Sequence, residues 1–207
     1  MLVSEAIAKL AKTELKMLKV ATDNDAVMGY INEAVLELHK RFNLWEAEAT
    51  ITQPDTTTLS YTLDGVDANV TIDLSDKILV VINKIWDPDG TELELNDEDD
   101  ETSPATPRYN VIEFQEAIAL DAYSVTYRAS PLDRAAVTET IELPPSLFEA
   151  MYFYVGFRAH VSQRGSKEFE NDTHFKRYDQ ACDRVQKLGL IVADSYHSHK
   201  FYDSCFP

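Results

Sequence analysis

Apolar residues recur at helical spacing in the first 46 residues of the chain. The clearest run is Val27, Ile31, Ala34, Val35, Leu38 and Phe42. Charged residues lie between its members, so the pattern predicts an amphipathic helix with one buried stripe. The polar cluster Thr22-Asp23-Asn24-Asp25 predicts the end of the preceding helix and the N-cap of this one, because such residue types are preferred at the start of a helix. An earlier, less regular helix is predicted from an N-cap at Ser4.

From residue 47 the apolar period changes to that of strands. Apolar and polar residues alternate at four places, which are residues 59–63, 109–114, 122–128 and 138–143. Such alternation is typical of half-buried strands. Residues 78–82 are apolar without interruption, which predicts the central strand of the sheet. The stretch that contains Pro104 and Pro107 is predicted to be a loop.

Helical patterns return after residue 143. Pro144 and Pro145 suit the first turn of a helix, and Ser146 with Glu149 matches a capping box. This helix is apolar on nearly every side, so we expect it to be buried from several directions. A second helix has a single apolar stripe and should end at Gly189. Residues 190–207 are rich in aromatic side chains and show neither period.

The order of these patterns predicts an α+β protein. Residues 1–46 and 144–189 are expected to form one antiparallel helical bundle, because neither group of helices has enough partners alone. Residues 47–143 are expected to form an inserted antiparallel β domain. Residues 190–207 are expected to be an extended C-terminal docking tail, since so many aromatic residues are costly to leave loose in water.

The net charge limits the kinds of partner that the protein can bind. The 207 residues carry a formal net charge of −17, which repels nucleic acid phosphate and anionic membrane surfaces. No run approaches the roughly 18 apolar residues of a membrane-spanning helix, and the first residues do not resemble a signal peptide. Two cysteines, Cys182 and Cys205, do not make a disulfide framework, so we expect a reducing cytoplasm.

The acidic stretch at residues 87–101 has three interpretations. A calcium loop needs oxygen ligands at fixed spacing and an entering helix, whereas Pro88 and Gly90 interrupt that spacing and strands flank it. A solvated hairpin is the interpretation that we favour. A negatively charged wall beside passing DNA is the third, and it needs support from outside this stretch.

No catalytic motif is visible. His197, His199 and Cys205 match no common zinc spacing, so a docking tail is the preferred interpretation of that segment. Cys182 lies in an apolar stripe and is interpreted as a small hydrophobe. The chain has no glycine-rich phosphate loop, nucleophile elbow or zinc-protease helix. We therefore expect a protein that is not an enzyme and that uses neither a metal nor a cofactor.

Three segments resemble the head–tail adaptor proteins of tailed bacteriophages, the connector or tail tubular A type. Residues 30–42 resemble the pattern INxAxxELxKRF of those proteins. Residues 125–129 resemble the end of a strand pair, and residues 143–160 resemble a segment with LP followed by a helix and YxAYRAH. The order of helices, β insertion, helices and tail covers nearly the whole chain.

This resemblance implies a structural virion protein at the head–tail junction, made in the host cytoplasm. Such adaptors form a ring, typically of twelve copies, that docks below the portal protein. The ring extends the DNA channel without specific DNA binding and is the platform for a downstream tail or nozzle protein. The resemblance implies no membrane partner. It assigns portal docking to Tyr196, His197, His199, Lys200, Phe201, Tyr202 and Phe206.

Two other functions remain open at this point. The charge of −17 is compatible with an acidic DNA mimic that inhibits a nuclease or restriction system, although the densest acidic run is a single predicted loop. Trp45 and Trp86 are compatible with an enzyme or carbohydrate-binding module, because indole rings stack on sugars. Both tryptophans lie at the ends of predicted elements, where core packing is the more common role.

Overall fold

The protein belongs to the α+β class, as predicted. The computed structural model describes residues 1–55, 57–97, 99–100, 102–116, 122–164 and 173–191. The chain divides into two compact units. The helical unit consists of Met1–Asn43 and the described residues from Asp133 onward, and the sheet unit consists of Leu44–Leu132. Helices and antiparallel sheets are therefore both present, in separate units.

The helical unit has four helices among the described residues. They are α1 (Val3–Lys12), α2 (Asn24–Arg41), α3 (Phe148–Arg164) and α4 (Thr173–Lys187). The stripe predicted for α2 is buried, and Phe42 directly after the helix is fully buried. The side chain of Asp23 accepts a hydrogen bond from the N–H of Ala26 at 3.0 Å, which confirms the predicted N-cap. In this unit α2 packs against α3, and α3 packs against α4.

Ion pairs connect these helices at the edges of the buried stripes. Arg41, at the end of α2, contacts Asp179 at 2.6 Å and Asp183 at 2.9 Å, both on α4. Arg158 of α3 contacts Glu33 of α2 at 2.6 Å. The two carboxylates on Arg41 are one helical turn apart, so the guanidinium group spans both. Such geometry orients α2 against α4 more than it adds net stability.

The strand predicted at residues 138–143 is absent. Thr140 forms one isolated antiparallel bridge with Leu2, and the N–H of Val3 donates to the carbonyl of Glu139 at 2.9 Å. This pairing satisfies an N–H group at the start of α1 that has no partner within the helix. The segment after Leu132 therefore belongs to the helical unit, and the N-cap expected at Ser4 is wrong because α1 begins at Val3.

The sheet unit contains two antiparallel sheets. Its described strands are β1 (Glu46–Thr52), β2 (Ser60–Thr62), β3 (Val70–Ile72), β4 (Lys77–Trp86), β5 (Glu92–Leu93), β6 (Ala105–Arg108), β7 (Val111–Glu113) and β8 (Ala122–Pro131). The larger sheet has the strand order β3-β1-β8-β4-β5, and the smaller one has the order β2-β7-β6. One hydrophobic core contains residues of both sheets, among them Tyr61, Ile112, Ile51 and Val125.

The central strand differs from the predicted one. The apolar run at residues 78–82 lies in β4, whereas the centre of the larger sheet is β8. Irregular register between Leu79 and Val81 interrupts the alternation of β4, and Ile78 and Val81 are partly exposed. The uninterrupted apolar run of β4 is therefore not buried on both faces of the sheet. Pro107, predicted in a loop, lies in β6, an edge strand where a missing N–H costs no ladder bond.

Aspartate closes many turns of the sheet unit. Backbone N–H groups two to four residues further along donate to seven aspartates, namely Asp55, Asp64, Asp67, Asp73, Asp87, Asp97 and Asp100. Such side-chain turns are an alternative to glycine, of which the chain has only six. Part of the negative charge of this unit therefore has a structural role.

These turns make stability depend on pH. Backbone hydrogen bonds from Thr57 and Thr58 lower the pKa of Asp55 from 3.8 to about 2. Hydrogen bonds from nearby Ser and Thr residues also lower the pKa values of Asp73 and Asp100. A carboxyl group whose folded pKa lies below its unfolded pKa stabilises the fold above the unfolded value. This contribution is lost as the pH falls through the folded pKa.

We expect the melting temperature to fall as the pH is lowered from about 4 to about 2, the range set by the lowered pKa of Asp55. Asp55→Asn should reduce this dependence, because the amide oxygen accepts the same hydrogen bonds without titrating. Thermal melts at a series of pH values measure the effect, with the exposed Glu116→Gln as the matched control. A slope unchanged by Asp55→Asn would contradict the assignment.

A second expectation concerns the buried stripe of the helical unit. Phe42→Ala removes a fully buried ring and should lower the free energy of unfolding by about 3–5 kcal/mol. Val66 is 84% exposed, and Val66→Ala should change it by less than about 0.5 kcal/mol. Denaturant titration measures both, and a Phe42→Ala protein as stable as the wild type would show that the ring is not buried.

Candidate functional site

The residues that the resemblance assigns to portal docking lie beyond the part of the chain that the structure describes. They are Tyr196, His197, His199, Lys200, Phe201, Tyr202 and Phe206. Cys205, the other residue considered for a metal site, lies there too. Their role remains a prediction.

Backbone hydrogen bonds close the C-terminal end of α4. The N–H of Leu190 donates to the carbonyl of Val185, and the N–H of Gly189 donates to that of Gln186. Gly189 has a φ of +62°, and together these features make a Schellman motif at the predicted end of the helix. Leu188 and Leu190 are 64% and 57% exposed. Exposed leucines therefore lie just before and at the first residue of the segment predicted to dock, residues 190–207.

The histidines and the cysteine of the helices are packed inside the helical unit. His39 is buried on α2, and the ring of His160 stacks on that of His174 with centroids 4.5 Å apart. Cys182 is fully buried, and burial raises the pKa of its thiol to about 11. A thiol that stays protonated at neutral pH is a poor nucleophile. Within the described residues, no group of three His, Cys, Asp or Glu side chains could hold a metal ion.

A polar depression lies on one face of the larger sheet. Strand register places Glu48 of β1 opposite Thr126 of β8, which is in turn opposite Lys84 of β4. Glu46 and Trp86 lie two residues along their strands from this row, so all five side chains share a face. They line a depression of about 390 Å³, here called the tryptophan groove.

The groove combines an aromatic ring with carboxylates. The ammonium group of Lys84 donates to Glu92 at 2.9 Å and lies 5.4 Å from the centre of the Trp86 ring. No ion pair found among the described residues involves Glu48. The Oγ1 atom of Thr126 is buried and has no hydrogen-bond partner within the described chain. An apolar ring beside carboxylates suits a side chain that is cationic, apolar or both.

Sequence reasoning found only one member of this groove. Trp86 was considered for sugar stacking, whereas Glu46, Glu48 and Thr126 were not singled out. Their proximity depends on β8 lying between β1 and β4, although these strands are far apart in sequence. One sequence pattern could have pointed to the groove: Glu46 and Glu48 alternate in β1, which places both on one face of the sheet. This pattern does not identify the neighbouring strand. Trp45, the other candidate, packs against the core of the sheet unit.

Comparison with known proteins leaves the question open. The sequence matches no protein-family model, and no curated protein is significantly similar to it. None of the helices in the described residues combines the length and the apolar character needed to cross a membrane. The functional proposal therefore depends on the residues themselves and on the resemblance of three segments.

The described part of the acidic stretch should be indifferent to calcium. Asp87, Asp97 and Asp100 accept backbone hydrogen bonds within their own turns, so their oxygens already have structural partners. Adding millimolar calcium should leave the melting temperature unchanged, since only a bound ion stabilises the fold by mass action. Asp97→Asn with Asp100→Asn should also leave it nearly unchanged. If calcium raised the melting temperature by several degrees, the calcium-loop interpretation of this stretch would be supported instead.

Proposed function

We propose that the protein is a structural virion protein, a head-to-tail adaptor of a tailed bacteriophage. In this proposal, copies dock as a ring below the portal protein, with twelve as the expected number. The ring extends the DNA channel and is the platform for a downstream tail or nozzle protein. No catalysis, cofactor or membrane contact belongs to this role.

Two finer features of the fold belong to the proposal. One is that α1 to α4 form an antiparallel bundle from both ends of the chain. The packing of α2 on α3 and of α3 on α4 supports it. The other is that the segment after α4 is an extended tail that docks on the portal. The Schellman motif at Gly189 and the exposed Leu188 and Leu190 support it, because they end the helix and leave apolar surface next to the tail.

The observation that carries the proposal is the separation of charge between the two units. Leu44–Leu132 contain 19 Asp and Glu against four Lys and Arg, a formal charge of −15. The remainder has 17 acidic and 15 basic residues, a charge of −2. A strongly acidic unit repels DNA phosphate and suits a wall past which DNA slides without sticking. The nearly neutral helical unit is suited to contacts with other proteins.

The same charge is also compatible with a DNA mimic, the second candidate function. A mimic needs carboxylates that are free to take the place of phosphates. Seven aspartates of the sheet unit instead accept hydrogen bonds from their own turns. These seven of the 19 acidic residues close turns, which counts against a surface built to take the place of phosphates.

Electron microscopy tests the adaptor proposal. The protein, added to portal-bearing phage heads that lack it, should appear as a ring at the portal vertex. A variant truncated after Ile191 keeps Leu190, whose N–H completes the end of α4. This variant should keep the wild-type melting temperature and lose the ring. An intact protein that never binds such heads, but that inhibits a nuclease in solution, would favour the DNA mimic instead.

A second set of variants tests whether docking depends on the aromatic rings of the tail. Replacing Phe201 and Tyr202 by Ala should weaken docking, since aromatic anchors often carry a large share of interface energy. Replacing both by Leu should weaken it less. If the truncated variant still formed normal rings, portal docking would not depend on residues 192–207.

A further inference from the structure

A lysine-rich segment begins at Lys12, the last residue of α1, and continues into the connection to α2 in the helical unit. Lys12, Lys16 and Lys19 are all exposed, and Met17 between them is 89% exposed. No ion pair found among the described residues involves any of these three lysines. In a chain with a net charge of −17, this segment is a local concentration of unpaired positive charge with an apolar side chain at its centre. It is called the lysine segment below.

Two inward-facing residues hold the segment in place. Leu15 is fully buried. Glu14, the only acidic residue between Lys12 and Lys19, has a side chain that is 13% exposed, and it contacts His174 at 3.0 Å and Arg177 at 3.2 Å on α4. The one negative charge is thus used inside the helical unit, and the outward side chains are lysines and methionine.

We propose that the tryptophan groove of one copy binds the lysine segment of a second copy of this chain. The inference rests on the proposed ring and names the contact between its neighbours. Met17 is suited to the indole of Trp86, because a thioether makes favourable contacts with aromatic rings. Lys16 is suited to Glu48, which forms no ion pair among the described residues.

Charge separation decides which surfaces of two copies can meet. Two sheet units bring charges of −15 together, whereas a helical unit at −2 meets a sheet unit with much less repulsion. At physiological salt the Debye length is about 8 Å, so the charges at the contact itself dominate. The positive segment and the carboxylate-lined groove are complementary at that range.

A contact between two different surfaces repeats from copy to copy. Each copy still has a free groove and a free lysine segment, so the contact is heterologous and closes into a ring at the right rotation. Duplex DNA is the other polyanion that unpaired lysines attract. DNA does not account for the exposed Met17 or for the carboxylates of the groove, so we favour the second copy.

Zero-length cross-linking tests the contact directly. Protein labelled with nitrogen-15 is mixed with unlabelled protein at near-millimolar concentration and physiological salt, then treated with a carbodiimide that joins lysines to carboxylates in contact. We expect mixed-isotope peptides that link Lys12, Lys16 or Lys19 to Glu46 or Glu48. If the mixed links involve other pairs only, or if none form, the proposal is wrong.

Charge reversal adds a matched test. Lys16→Glu and Glu48→Lys should each lower the yield of the mixed links formed by the remaining lysines and glutamate. We expect about tenfold, because a like-charge contact costs at least that much affinity. The two variants mixed together should restore the links, since the unaltered groove of the Lys16→Glu protein can bind the unaltered lysine segment of the Glu48→Lys protein. Lys187→Glu, with the same charge change on exposed α4, should have no effect. Equal yields from Lys16→Glu and Lys187→Glu would overturn the contact.

Two further readouts separate this contact from its alternatives. If Lys16→Glu abolishes binding of a fluorescent DNA duplex and leaves the mixed links intact, the lysine segment is a nucleic-acid surface and the proposal fails. If rings form at the portal vertex and Lys16→Glu assembles equally well, the adaptor function stands and this contact is wrong. If the links form but wild-type protein makes no ring, the contact stands and the adaptor function fails.

Discussion

The packing of α2 on α3 is the contact on which the helical unit depends. The two helices are separated by the whole sheet unit in sequence, so their contact must close a very long loop. Loop-closure entropy rises only with the logarithm of loop length. When the insertion is itself folded, the cost is smaller still, because its ends are already positioned. The buried stripe that ends at Phe42 can therefore offset it. The pair of Arg158 with Glu33 orients the two helices.

The sheet unit has a different constraint, which is the chemistry of its turns. The chain contains six glycines, and aspartate side chains bind the backbone at many turns instead. Each such turn adds a negative charge to a unit with few basic residues, so local turn closure produces a strongly acidic domain. The charge separation is thus partly a by-product of how the strands are connected. Two sheet units therefore repel each other more strongly than two helical units do.

The two surfaces of interest arise in different ways. The lysine segment is local, because Lys12 to Lys19 are near in sequence and Glu14 and Leu15 turn the segment's other side inward. The tryptophan groove is non-local, since it needs β1, β8 and β4 side by side. A positive surface in the nearly neutral unit and a carboxylate-lined groove in the acidic unit form a complementary pair.

The sequence by itself determined the elements whose signals are local. The α2 stripe, its cap at Asp23 and the stop at Gly189 were predictable, because helical period, capping and positive φ depend on neighbouring residues. The mixed helix and sheet class followed from the change of period. The tail residues, from Tyr196 to Phe206, remain predictions because they lie beyond the described chain.

Only the tertiary structure decided which strand is central and what residues 138–143 do. The run at 78–82 looked like the sheet centre, but β8 takes that place because it pairs with both β1 and β4. Thr140 pairs with Leu2 at the start of α1 rather than with a strand. The grouping of Glu48, Thr126 and Trp86 in one groove likewise could not be predicted from the sequence. Strand order and register depend on partners distant in sequence, and a period along one strand does not specify its neighbours.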